Sequence, residues 1–313
     1  MSREEEQRNK DLVTAFVKAT NKLELDKLDD MVVEDYRENE PIPGQPPGRE
    51  GLKWAYRTFN EPFPDLVFDF ADVIAEGDLV VGRGIGAGHN TAPFMGIPAT
   101  GKKVKWSGTR LFRLADGKLV EGWINLDMLG LMQQLGVIPS PPPGPEPAPA
   151  RHLTGAPSTR EANHALMRRF IEEVWNKGNT AVAEEIFHPE ATSPSAPTLP
   201  PGAAGVNFIV NMFRNAFPDY HMEITHLVAE DDRVAARFVQ SGTHKGELMG
   251  IPPTGKKATW TEIGILRIAD GKVVESWYDV DMLGMMGQLG IGGSGGGDGQ
   301  GTTPEPAAAG AER

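Results

Sequence analysis

The sequence predicts an α+β protein in which one domain is written twice, each copy a curved antiparallel sheet wrapped around three N-terminal helices. The first observation behind this is a repeat. The run FMGIPATGKKVKWSGTRLFRLADGKLVEGWINLDMLGLMQQLG, residues 94–136, returns as LMGIPPTGKKATWTEIGILRIADGKVVESWYDVDMLGMMGQLG at 248–290. More than half of the positions are identical at an offset of about 154 residues, far beyond what shared secondary structure would force. The offset also holds upstream, where Phe63-Pro64-Asp65 meets Phe217-Pro218-Asp219, Gly48 meets Gly202 and Phe16 meets Phe170. A repeat of about 130 residues is domain-sized and too long for one solenoid unit. The second observation is a change of hydrophobic period, from helical to alternating, after the Phe-Pro-Asp of each copy. The third is a length of 313 residues with an ordinary apolar fraction, enough for two full cores.

Each copy opens with a helix, on which Leu12, Ala15, Phe16 and Ala19 share one face and Leu166, Phe170, Ile171 and Val174 share the matching one. A second short helix ends near Val33 and Phe187. The stretches EPIPGQPPG and SPSAPTLPPG are loops, because their prolines and glycines break regular structure. A third helix runs from about Glu50 to Phe59, and from about Ala204 to Ala216. Alternating strands follow in the first copy at Leu66-Phe68-Phe70, Leu79 to Gly86, Val104 to Leu114 and Leu119 to Leu126. They are joined by turns such as Glu76-Gly77-Asp78 and Ala115-Asp116-Gly117-Lys118. Segregated helices and strands give a layered α+β fold whose curved sheet can enclose a pocket. The expected boundaries are a first domain at 1–138, a proline-rich spacer at 139–158, a second domain at 159–291 and a disordered glycine-rich tail at 292–313.

Composition excludes several classes. The chain has no cysteine, which removes disulfides, thiolate nucleophiles and Cys-ligated metals and makes the cytoplasm the default compartment. No apolar run approaches the 18 or so residues that span a bilayer. A net charge of -12, with no basic cluster, disfavours nucleic acid. No His/Asp/Glu spacing signals a metal and no glycine-rich phosphate loop is present, so no cofactor is expected. Gly82, Gly84 and Gly86 lie inside a strand and read as kinks or bulges.

The combination GTHKGELMGIPPTGK (242–256), an R-x-x-DGK turn, E-x-W-x-x-x-D-M-L-G and Q-L-G resembles the SnoaL-like polyketide cyclases (ester cyclases) of the NTF2-like superfamily, in both copies. The resemblance implies a cone-shaped α+β barrel with a ligand cavity between sheet and helices, and dimers formed through the sheets. It also implies cofactor-free acid/base catalysis of an intramolecular aldol ring closure, in which a buried aspartate removes a proton beside a carbonyl. By motif, that aspartate's position falls on Ile124 in the first copy and Tyr278 in the second. Other pocket positions carry over as Asn39 and Ser193 on the loop after helix two, Asn90 and His244 in the GTH strand, and Arg110 and Gly264 in the strand after Trp106 and Trp260.

The residues themselves leave alternatives open. Asp127 and Asp281 are acids beside the pocket or helix N-caps. His244 is a proton carrier in the cavity or a histidine at a strand end. Glu262 shares a strand face with Trp260 and Gly264, as a cavity carboxylate or a solvated one. Arg110 would bind a carboxylate or polarise a carbonyl, or pair with an acid across strands. Trp106, Trp123, Trp260 and Trp277 are core or pocket walls. Asp279 is expected to be exposed if Tyr278 faces the pocket.

The second copy is the better candidate for chemistry, since it keeps His244, Glu262, Tyr278 and Asp281 where the first has Asn90, Gly108, Ile124 and Asp127. The expected function is cofactor-free cyclisation or isomerisation of a polyketide-like carbonyl compound, with His244 or Asp281 as base and Tyr278 as donor to the developing enolate oxygen. One alternative is epoxide hydrolysis or epoxide-opening ether cyclisation, using Glu38 or Glu262. Another is non-catalytic carriage of an apolar small molecule. The two copies are expected to pair as an internal dimer.

Overall fold

A computed structural model describes residues 1–140, 153–156 and 158–291. Most of the expected spacer and all of the expected tail lie outside these residues. The first copy runs α1 (Arg3–Asn21), α2 (Leu28–Met31), β1 (Val32–Glu38), α3 (Gly48–Asn60), β2 (Val67–Glu76), β3 (Leu79–His89), β4 (Lys103–Ala115), β5 (Lys118–Leu126) and α4 (Met128–Leu135). The second repeats this order. It begins with α5 (Arg160–Arg169), extended by a π-helical stretch over Phe170–Asn176, then α6 (Val182–Ile186), β6 (Phe187–Thr192) and α7 (Ala203–Ala216). Strands β7 (His221–Glu230), β8 (Arg233–Thr243), β9 (Lys257–Ala269) and β10 (Lys272–Val280) lead to α8 (Met282–Leu289).

Each copy carries a five-stranded sheet, ordered β1-β5-β4-β3-β2 and β6-β10-β9-β8-β7. Long neighbours pair antiparallel; tight turns join β2 to β3 and β4 to β5, and a longer connection joins β3 to β4, as in the second copy. Asp116 and Gly117 both take positive φ at the β4–β5 turn, as the hairpin twist requires. The strand at one edge, β1 or β6, was absent from the expected elements. It pairs parallel with β5 or β10 through a register shift, and its sequence VVEDYRE lacks the alternation that marks a half-buried strand.

Helix α1 starts in a capping box, with Ser2 and Glu5 satisfying each other's backbone N–H. It buries Val13, Phe16 and Val17 against Leu52, Phe112 and Leu119; the Phe16 and Phe112 rings meet edge to face at 5.6 Å. Alternation then splits β4 into two faces. Trp106 and Arg110 line a cavity under the helices, whereas Ser107, Thr109 and Leu111 face the other copy.

The outer faces of the two sheets meet in a seam. Ile74, Val81, Leu111 and Trp123 pack with Val228, Ala235, Ile263 and Ile265. Its edges repeat under the 154-residue offset. Glu76 Oε2 accepts from Ala229 N at 2.7 Å, and Glu230 Oε2 from Ala75 N at 2.9 Å. Asn125 donates to Thr261 Oγ1 at 2.9 Å, and its counterpart Asp279 accepts from Ser107 and, at 2.6 Å, from Thr109. Asp279 is therefore buried, against the expectation of exposure, because the face opposite Tyr278 is covered by the other copy. Burial raises its carboxyl to about 6, opposed by those hydroxyls. The C-terminal helices also meet: Leu129 of α4 lines the second copy's cavity, and Leu283 of α8 packs on the first copy's Trp106 cluster.

Candidate functional site

The second copy encloses a cavity of about 380 Å³ between its sheet and α7, within the range of small-molecule sites. Its walls are aromatic and aliphatic, from Phe170, Trp175, Phe213, Met212 and Ile209. Its polar groups are few: Gln240, Glu262, Tyr278, Thr192, Ser193, Ser195 and Ser276. Glu262 stands on β9 diagonally across from Tyr278 on β10, since Tyr278 lies opposite Gly264 and Val280 opposite Glu262. The missing side chain at 264 makes room for Tyr278, because a Cβ there would come within 2.8 Å of Tyr278 Cδ1. Tyr220 donates to Gln240 Oε1 at 2.6 Å, and Gln240 Nε2 donates to Glu262 Oε2 at 2.7 Å. Glu262 Oε1 takes no protein hydrogen bond among the described residues. Burial lifts the Glu262 carboxyl to about 8 despite the Gln240 bond, with Asp279 adding to the rise. Burial also raises the Tyr278 phenol well above its ordinary range, so it stays protonated. A carboxyl titrating near neutrality beside a permanent hydroxyl donor is suited to moving a proton to and from a bound molecule.

The first copy's cavity, about 130 Å³, has the opposite pattern. Position 108 is glycine, filled from the side by Phe68 and Leu126, and position 110 carries Arg110. Arg110 is ion-paired with Glu38 and donates to Tyr56 Oη at 2.8 Å. Burial raises the Glu38 carboxyl, with Arg110 opposing. Gly82, Gly84 and Gly86 stand on β3 where the β2–β3 register shifts, between Phe70 opposite Gly84 and Asp72 opposite Arg83. A Cβ at 82 would strike Phe70 at 2.5 Å, at 84 the Asp69 carbonyl oxygen at 2.2 Å, and at 86 Trp106 at 2.8 Å, so Gly82 and Gly86 accommodate rings and Gly84 a close backbone approach.

The model of the SnoaL-like polyketide cyclase family matches residues 10–135 and 165–289, most of the chain and once in each copy. The chain belongs to the SnoaL-like polyketide cyclase family. It is 32% identical over 129 residues to aklanonic acid methyl ester cyclase DnrD of Streptomyces peucetius, covering 40% of this chain and 88% of that protein. It is 34% identical to the cyclase DauD of Streptomyces sp. (strain C5), over 40% of this chain and 80% of that one. Nogalonic acid methyl ester cyclase of Streptomyces nogalater is 28% identical over 37% and 89% of the two chains. These matches are one SnoaL-like copy long.

Within this SnoaL-like pair, Glu262, Tyr278 and Ser193 come together in the second cavity, and Trp106 and Arg110 in the first. His244 lies elsewhere. It is fully buried, its Nδ1 accepts from Thr254 N at 3.2 Å, and its ring packs on Phe217. Asn90 performs the same task in the first copy, accepting from Thr100 N at 2.8 Å, so both residues clamp the β-hairpin that follows. Asp127 and Asp281 cap α4 and α8, each accepting at 2.8 Å from Gly130 N or Gly284 N. Asn39 ties its loop to Gly122 O at 3.0 Å. Trp123 and Trp277 line neither of these two cavities; their strand faces point into the seam, where Arg83 lies over the Trp277 ring. Trp260 is core, packed on Phe213 and Phe217.

Sequence reasoning missed Gln240, Tyr220, Tyr56 and Glu40. A signal existed, since they are polar or aromatic where the other copy has Gly86, Leu66, Val210 and Pro194. Among the described residues no group of three or more His, Asp or Glu side chains is arranged to hold a metal ion. No helix among them is long and apolar enough to cross a membrane.

Proposed function

We propose that the protein closes a ring in a polyketide-like carbonyl compound by an intramolecular aldol-type reaction, in its second cavity, with Glu262 as base and Tyr278 as hydrogen-bond donor. The observation that carries this reading is the Glu262 carboxyl, held by Gln240 in an apolar cavity and lifted to about 8. Such a group is a far stronger base than an exposed glutamate and is still partly ionised near neutrality. Ionised Glu262 takes the proton from the carbon beside a carbonyl. The electron pair moves onto that carbonyl oxygen, where the Tyr278 hydroxyl stabilises the enolate. The enolate carbon then attacks a second carbonyl of the same molecule, forming the new C–C bond. The resulting alkoxide takes the proton back from Glu262, so no cofactor is called for. The aromatic walls suit a flat polycyclic molecule, and the names of the relatives, cyclases of aklanonic and nogalonic acid methyl esters, suggest an acid methyl ester. The two copies work as a fixed pair, since each supplies a leucine to the other's wall or core.

Turnover of aklanonic acid methyl ester, used as probe substrate, tests this. Glu262→Gln should lower the rate about 10²-fold or more, whereas His244→Asn, which imports the first copy's own clamp, should leave it unchanged. Full turnover in Glu262→Gln would refute the assignment.

A further inference from the structure

The first cavity has a polar end that the second copy does not share: Glu38, Tyr56 and Arg110 stand where the other copy has Thr192, Val210 and Gly264. The Glu38 and Arg110 side chains are 8% and 9% exposed. Arg110 reaches Glu38 and Tyr56, yet Glu38 Oε1 and Arg110 Nε are buried with no hydrogen-bond partner among the described residues. A buried carboxylate with an unused acceptor is costly unless something supplies the donor. Thr20, Asn21, Gln45 and Asn60 also line the cavity, and its remaining walls are mostly apolar, with Phe68, Phe70 and Trp106 prominent.

A second carboxylate of this cavity is held by the other copy. Glu40 lines the cavity, and its carboxylate is ion-paired with Arg237 on β8, whose side chain is 6% exposed. The repeat explains the crossing. Arg83, the counterpart of Arg237, is held within its own sheet by Asp72, with Nε at 3.0 Å. The second copy has His226 in place of Asp72. Burial, with help from Arg113 and Arg237, pushes His226 down to about 4, so it is uncharged at neutral pH. Lacking an acid at the position opposite it, where His226 stands, Arg237 donates to Thr225 Oγ1 and reaches across the seam to Glu40. The two carboxylates of the cavity are then each paired with one guanidinium, Arg110 within the lining and Arg237 behind it. An anionic ligand would bring an uncompensated charge into this balanced set.

We propose that the first cavity is a second binding site, for a neutral aromatic molecule whose hydroxyl donates to Glu38, and that Arg237 of the second copy sets its wall through Glu40. The site follows from the first copy's own residues and does not depend on the reaction assigned to Glu262.

Calorimetric titration of the full chain with 2-naphthol, 2-methoxynaphthalene and 2-naphthoate tests the proposal, with thermal melts to confirm that each variant is folded. The expected result is saturable binding of 2-naphthol, about ten-fold or more tighter than 2-methoxynaphthalene, which lacks the donor. Glu38→Gln should bring 2-naphthol down to the methoxy level, because the amide oxygen turns to Arg110 and leaves an N–H facing the ligand hydroxyl. Arg237→Met should weaken binding, and Ile124→Trp, or the milder Ile124→Phe, should abolish it by filling this cavity. Val206→Trp, which fills the other cavity, should not. Preference for 2-naphthoate, equal affinity for naphthol and its methyl ether, survival of binding in the Ile124 variants, or no saturable binding would each overturn the proposal.

Discussion

Gln240 bridges Tyr220 and Glu262, accepting from the phenol at 2.6 Å and donating to the carboxyl at 2.7 Å. Both bonds fix the carboxyl's orientation without neutralising it, and among the described residues no cation pairs with it. Glu262 is thus a buried acid whose proton is set mainly by desolvation, unlike Glu38, whose proton is contested by Arg110.

Burial of Glu262 makes stability depend on pH. Its carboxyl is raised from the ordinary 4.5 to about 8, so between those values the folded state holds a proton that the unfolded state has lost. Stability therefore falls as pH rises through that window. Glu262→Gln removes the dependence, and the variant should melt increasingly above wild type as pH is raised from 5 to 8. A constant difference across that range would count against a buried, neutral Glu262.

Gly264 is the partner of Tyr278. Gly264→Ala places a Cβ about 2.8 Å from Tyr278 Cδ1, an overpacking that should cost about 1–3 kcal/mol and move the phenol off the substrate. Turnover should fall more than substrate affinity does. Unchanged turnover in this variant would remove Tyr278 from the chemistry.

Trp123, 5% exposed, belongs to the seam between copies. Trp123→Ala should lower stability by about 3–5 kcal/mol, as large core truncations do, and leave KM unchanged because the residue lines neither cavity. A raised KM with an unchanged melt would return Trp123 to a pocket wall.

The two-copy α+β architecture was legible because duplication doubles every pattern and the change of period after Phe63 and Phe217 is sharp. Strands β1 and β6 were not, since a parallel edge strand lacks clean alternation. Alternation placed Glu262 and Tyr278 on their strands but not the faces of Trp123, Trp277 and Asp279, because the outer sheet face is itself buried by the other copy. Sequence gives period, and only the seam tells which apolar face is cavity and which is interface. His244 misled because a histidine beside a cavity and one clamping a hairpin look alike in sequence. Its counterpart Asn90, making the same backbone bond, carried the structural role. Gln240 and Tyr56 belong to the class that a single domain hides and a duplicated one exposes, polar or aromatic groups facing a cavity where the other copy has glycine or valine.

The dependence of kcat/KM on pH tests the role of Glu262 most directly. A base active in its ionised form, with its carboxyl near 8, should give a rate that rises with pH and levels off above that value. In Glu262→Gln that ascending limb should vanish, leaving a low and flat profile. A wild-type rate independent of pH from 5 to 9, or an ascending limb that persists unaltered in Glu262→Gln, would contradict the assignment of Glu262 as the base.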